Sequence, residues 1–347
     1  MIETHLGSPK SFPRLASIDC LRLLAILAVA TGHFWNKDSI VRAATYSWHV
    51  PMFFFLTGYL WSSTKTLRLE LHSRSKSLLV PYICWLVALE TVFFCSDLVK
   101  TRAFQISRLF DMLHGGIRLT GTFAAFWFTP VLFLSIVIIR LAYVHFRRFY
   151  HVIVLGASVS SIVICTYWNH IVTKMPLDLF MAIPCCIFIL AGQFLHWLEA
   201  RLSTMQLTLI GFVSTSVSIL LFVTGLCAPL DIKYGIFGTP ILSMVMSIAL
   251  CGGMVILTRE AIDRHIAHRF AQIVTRLAYV ILPVMFVHLF AFLVYGHLGL
   301  SGIGLFSVAV VSSFLVGLAL NLMPLFSPLF VGIPRWKFST NANALNL

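Results

Sequence analysis

Three ionisable side chains stand close together around the first long apolar run: Asp19, Arg22 and His33. A helix turns through about 100° per residue, so the path from Arg22 to His33 ends about 20° past three full turns. Both side chains then share one face, about 16 Å apart along the axis. Asp19 and Arg22, spaced i, i+3, can pair on that same face. Ionisable groups inside a membrane span cost a few kcal/mol or more and are usually kept for function. Histidine is the acid/base of neutral pH, and arginine is a fixed cation that can hold a phosphate or orient an acidic partner. The stripe draws a polar line through the membrane. The plainer alternative is that Asp19 and Arg22 snorkel at one interface while His33 sits near the other.

The chain that must position these groups has 347 residues, 59% apolar and 11% charged. That excludes an ordinary soluble domain, in which about a quarter of the residues are charged. At about 20 residues per span there is room for about ten helices. Hydropathy windows place them near 19–36, 48–62, 78–99, 124–146, 152–172, 178–198, 207–228, 235–257, 277–295 and 303–325. The second, short and holding Pro51 and Gly58, is expected to be tilted, broken or partly re-entrant. The fold class is therefore an all-α integral membrane protein of about ten transmembrane helices. A tail 1–18 precedes the membrane domain 19–325, and a tail 326–347 follows it. With both termini cytoplasmic, most of the Lys and Arg fall on the cytoplasmic side, as the positive-inside bias requires. The net charge of +13 then suits anionic lipid head groups and acidic ligands better than nucleic acid. Lys100, Arg102, Arg108 and Arg118 run against the bias; their loop, 100–123, is the longest outer one and a candidate substrate-facing element.

The first apolar run ends in His33-Phe34-Trp35-Asn36-Lys37 and not in a small-residue cleavage site, so it is expected to stay attached as a signal anchor. The eight cysteines lie in or beside apolar stretches without CxxC spacing and read as packing residues. No Walker loop, dinucleotide turn or HExxH is present.

Ser17-Ile18-Asp19-Cys20-Leu21-Arg22 followed by Thr31-Gly32-His33 resembles the opening of the acyltransferase-3 family of integral membrane O-acyltransferases. Further stretches agree in order: Val50-Pro51-Met52-Phe53-Phe54-Phe55-Leu56-Thr57-Gly58, the basic lead-in Arg74-Ser75-Lys76 through Pro81-Tyr82, Ala125-Phe126-Trp127-Phe128, and the span from Tyr279 to His288. Thr57 stands where the family more often has Ser, and Lys76 where it has Arg. The resemblance covers roughly 17–330. It implies transfer of an acyl group, commonly acetyl, from acetyl-CoA or another acyl-CoA on the cytoplasmic side to a hydroxyl of a carbohydrate or glycolipid at the outer side. It also implies a multi-pass protein of the bacterial cytoplasmic membrane. His33 would be the catalytic histidine, as base or acyl carrier, with Asp19 and Arg22 beside it in the motif; Arg22, Arg74 and Lys76 would lie near the coenzyme A phosphates. A thioester is already activated, so this chemistry requires no metal.

Other residues carry two readings each. Glu90, deep in the third span, is either functional or paired with a polar neighbour. Asp178 reads first as a helix N-cap. His288 either lines the acceptor cavity or is a satisfied core histidine. Trp127 either shapes the acyl or sugar pocket or belongs to the interfacial aromatic belt. The basic segment 258–276 is either another cofactor-binding cluster or an ordinary cytoplasmic loop. The competing function is a transporter or flippase for a lipid-linked saccharide, which has no need of a coenzyme A site; a non-catalytic scaffold is a third reading.

Overall fold

The computed structural model describes residues 16–35, 38–101, 106–263 and 268–332. The tails beyond them, and Lys37 and Arg102, lie outside the described residues. The helices, in chain order, are α1 (Ala16–Phe34), α2 (Ser39–Tyr46), α3 (His49–Tyr59), α4 (Leu67–Arg74), α5 (Val80–Thr101), α6 (Ile106–His114), α7 (Phe128–Phe146), α8 (Tyr150–Val172), α9 (Ala182–Glu199), α10 (Thr204–Val223), α11 (Leu242–Ile262), α12 (His268–Tyr279), α13 (Ile281–His297) and α14 (Gly302–Leu322). No β-strand occurs among the described residues; one isolated antiparallel bridge joins Asp231 to Ile236.

Among the described residues eight helical segments are long and apolar enough to cross a membrane, and a ninth if α12 and α13, bent by 63° at their junction, count as one. The remaining expected span, 48–62, is the 11-residue helix α3. At 1.5 Å per residue it covers about 16 Å, roughly half of a bilayer core. Its last turn meets the middle of α9, and there the two backbones are in direct contact. A Cβ on Gly58 would overlap the Ile189 carbonyl, and one on Gly192 the Phe55 carbonyl. Without a hydrophobic drive between helices in lipid, such small-residue contacts are what lets them associate closely.

The chain alternates between two ends. One, the cavity end, gathers the loops around 35–48, 115–127, 173–181, 224–241 and 298–301; the other, the basal end, gathers 60–79, 147–149, 200–203 and 323–332. At the basal end Asp263 accepts from the Ser17 backbone N–H (3.2 Å) and hydroxyl (2.8 Å), satisfying a donor at the start of α1. Arg259 bridges Glu199 and Tyr59, tying α11, α9 and α3 together. Among the cysteines Cys165, Cys185, Cys186, Cys227 and Cys251 are buried as expected, whereas Cys95 is exposed and Cys20 and Cys84 are intermediate.

Candidate active site

α1 crosses the bundle with its sequence-flagged groups at opposite ends. Near its start Asp19 is fully buried, accepting from Arg22 Nη1 (3.1 Å) and from the Thr275 hydroxyl of α12 (3.1 Å). At its last turn His33 opens onto a cavity of about 730 Å³, which Trp127 also lines. That volume lies in the range of small-molecule sites. Arg22 does not reach the cavity lining.

The cavity is walled by short elements whose ends are individually fixed. Asp38 accepts from the N–H groups of Ile40 (2.8 Å) and Val41 (3.1 Å), capping α2 and so starting the helix that presents Arg42 and Tyr46. Arg42 donates to Asp231 (3.0 Å) while its guanidinium lies 4.3 Å from the centroid of the Tyr46 ring. His49, the first residue of α3, donates through Nδ1 to Thr45 O (2.6 Å). Beside Arg42 the turn 231–236 delivers Lys233, 6% exposed, whose ammonium donates to Leu119 O and Ala124 O (3.2 Å). It thereby closes the loop 119–124, which contributes Thr120, Gly121 and Thr122 to the lining.

Burial pushes Lys233 down to about 8, against the pull of Asp178 and Asp231. Burial likewise pushes the Asp231 carboxyl up, with Arg42 holding it in the other direction. These charges are therefore held in a partly dehydrated wall, where dipoles and ions act on a bound molecule more strongly than in water.

His288 lies behind His33 and not in the cavity lining: the two ring centroids are 5.5 Å apart. Fully buried, His288 faces Val284 O with Nδ1 at 3.0 Å, and Nε2 has no partner among the described residues. A ring nitrogen that faces a carbonyl carries the proton, so neutral His288 keeps Nε2 as an acceptor. Trp127 is 6% exposed, a wall residue of the cavity in place of an interfacial belt position.

Other expected site residues stand elsewhere. Glu90 meets Arg108 Nε at 3.3 Å, and Arg108 also pairs with Asp97, so this carboxylate clamps α6 to α5 away from the cavity. Asp178 is not a cap of its own helix. With φ of 51° it turns back and accepts the Ile117 N–H (3.0 Å), and the positive φ of Gly116 leaves room where a Cβ would strike that carboxylate. At the basal end Arg74 Nε donates to Glu70 (2.8 Å), and Lys76 is exposed in a π-helical turn, Ser75–Leu79. In the segment 258–276, Arg259 is taken up by Glu199 and Asp263. Among the described residues no group of His, Cys, Asp and Glu is arranged to hold a metal ion.

Arg42, Tyr46, Asp231 and Lys233 were not singled out from the sequence. Their one signal is Leu230-Asp231-Ile232-Lys233, in which opposite charges alternate with apolar residues in a short outer loop.

The membrane bundle thus presents a histidine in a cavity at one end and basic residues at the other. A family model described as an acyltransferase domain, acyltransferase-3, matches residues 15–324. The chain belongs to this family and is a membrane acyltransferase. No curated protein and no solved structure gives a significant match.

Proposed function

We propose that this protein is an O-acyltransferase, most simply an O-acetyltransferase, that takes an acyl group from acetyl-CoA or a similar acyl-CoA at the basal end. The acceptor is a hydroxyl of a carbohydrate or glycolipid held in the cavity at the other end. The basal end faces the cytoplasm of a bacterial cell and the cavity faces outward, in keeping with both termini being cytoplasmic. The observation that carries this reading is His33, an acid/base side chain that opens onto the cavity beside Trp127.

Each residue then has a physical task. His33 withdraws the proton from the acceptor hydroxyl as its oxygen bonds the acyl carbon, or first takes the acyl group on its ring nitrogen and passes it to that oxygen; in either case the thioester C–S bond breaks and coenzyme A leaves as the thiol, taking the proton. His288 sets the orientation of that ring from behind. Trp127 offers a flat aromatic wall to a sugar face and excludes water. Arg42 and Asp231 supply donors and acceptors to the hydroxyls of the acceptor. At the basal end Arg22, Arg74 and Lys76 form a cationic mouth whose residue types fit a polyphosphate ligand, with guanidinium groups able to bond phosphate in pairs. Bound acyl-CoA supplies an activated thioester.

Steady-state kinetics of the purified protein test the division of labour. Arg74→Ala or Lys76→Ala should raise the KM for acetyl-CoA, and Trp127→Ala the KM for the acceptor, each leaving the other constant within about twofold, since the ends are separate sites. Equal effects on both constants at either end would refute it.

A further inference from the structure

Among the described residues the most deeply buried cation is not at the cavity. Arg140, in the last third of α7, is 0% exposed. An arginine within a span is costly and is held by partners or by function. Here the loop after α3 wraps around it: Nη1 donates to Lys65 O (3.0 Å), and Nη2 to Ser62 O (2.8 Å) and to Glu70 (2.9 Å). Its guanidinium carbon lies 3.7 Å from the centroid of the Trp61 ring. Glu70, 3% exposed, gives its other oxygen to Arg74 Nε.

Two consequences follow for Arg74. Its Nε is anchored, while among the described residues its two Nη groups have no further partner and its side chain remains 30% exposed. Electrically, Arg74 with Glu70 alone would be a neutral pair with little attraction for an anion. Arg140 offsets the carboxylate, so the trio keeps one net positive charge, and the exposed part of it is the Arg74 fork. The π-helical turn Ser75–Leu79 begins at the next residue, and Gly332, at φ of 80°, closes on the Ser77 carbonyl where a Cβ would crowd it. Turns of this kind recur at functional sites.

We propose that Arg140 is a positioning residue for the acyl donor. Through Glu70 it fixes the guanidinium of Arg74 and restores its net charge, so that the two Nη groups meet a phosphate of the donor. This rests on the reading of Arg74 as a donor-side cation. Arg140 itself touches neither substrate.

The test is a cycle of Arg140→Lys, Arg74→Ala and the two together, with KM for acetyl-CoA, KM for acceptor and kcat measured in detergent. Lysine keeps the charge and loses the planar fork that reaches Ser62, Lys65 and Glu70 together. Arg140→Lys should raise the donor KM about tenfold, the size of one charge-assisted hydrogen bond, with acceptor KM and kcat within about twofold. In the Arg74→Ala background it should add nothing. Arg140→Gln alone keeps a hydrogen-bonding side chain but leaves Arg74 and Glu70 a neutral pair, and gives a second route should Arg140→Lys fold poorly; it too should raise the donor KM alone. A folded variant with unchanged donor KM, or an effect that adds to that of Arg74→Ala, overturns the proposal and leaves the donor-side reading standing. An Arg74→Ala protein with unchanged donor KM overturns both.

Discussion

Adding one methyl group at Gly58 should cost more than at any lipid-facing glycine. The new Cβ of Gly58→Ala would overlap the Ile189 carbonyl oxygen and press on its carbon and Cα. These are backbone atoms in the middle of α9, so relief requires α3 to move as a body. Forcing a methyl into a well-packed contact costs about 1–3 kcal/mol. Gly192→Ala, whose Cβ would meet the Phe55 carbonyl from the other helix, should cost a similar amount. Gly156→Ala in α8 is the control: nothing lies within 4 Å of its Cβ, and a helical glycine replaced by alanine gains about 0.5–1 kcal/mol. In a chain of this size 1 kcal/mol moves the melting point by about 2 °C. Gly58→Ala should therefore melt roughly 2–6 °C lower in detergent at a fixed scan rate, and Gly156→Ala up to about 2 °C higher. Because α3 also carries His49 and Phe53 into the cavity wall, Gly58→Ala should raise the acceptor KM while Gly156→Ala leaves it unchanged. Equal melting shifts at the two positions would refute the claim that α3 and α9 are held backbone to backbone.

The buried Lys233 predicts a pH effect. Its value of about 8 lies below that of a free lysine, so between about 8 and 10.4 the unfolded chain holds a proton that the folded chain has released. Stability from this group rises with pH across that window, and the difference in melting point between the protein and Lys233→Met should change over it; a pH-independent difference would contradict the burial of Lys233. For His288, substitution by Asn should lower kcat while leaving both KM values within about twofold, because the ring stands behind His33 and does not line the cavity. A rise in acceptor KM alone would return His288 to the cavity wall.

The sequence announced the membrane architecture because a bilayer demands long apolar helices, and these are visible in any window of hydropathy. It was less informative about α3, whose close seat on α9 depends on Gly58 and Gly192 letting two backbones touch, a property of two distant segments together. His33 was legible because one helix carries it in a recognisable motif. Glu90 was not resolved by depth alone, because its partner Arg108 comes from a separate helix. Arg42, Asp231 and Lys233 were hidden for the opposite reason: charges in loops are ordinary, and only the fold turns 231–236 inward to meet α2 and the loop 119–124. Arg140 could have been flagged as an intramembrane cation, but Glu70 lay in a segment that read as a basic cytoplasmic loop.

The proposed role of His33, acyl transfer chemistry in the cavity, is open to direct assay. Its most direct test is the transfer of isotope-labelled acetyl from acetyl-CoA to lipid and glycan fractions by membranes containing either the native protein or His33→Ala, with both proteins matched for folded yield in detergent. Labelled product is expected from the native protein and none above background from His33→Ala. Transfer at the native rate by a folded His33→Ala protein would contradict it.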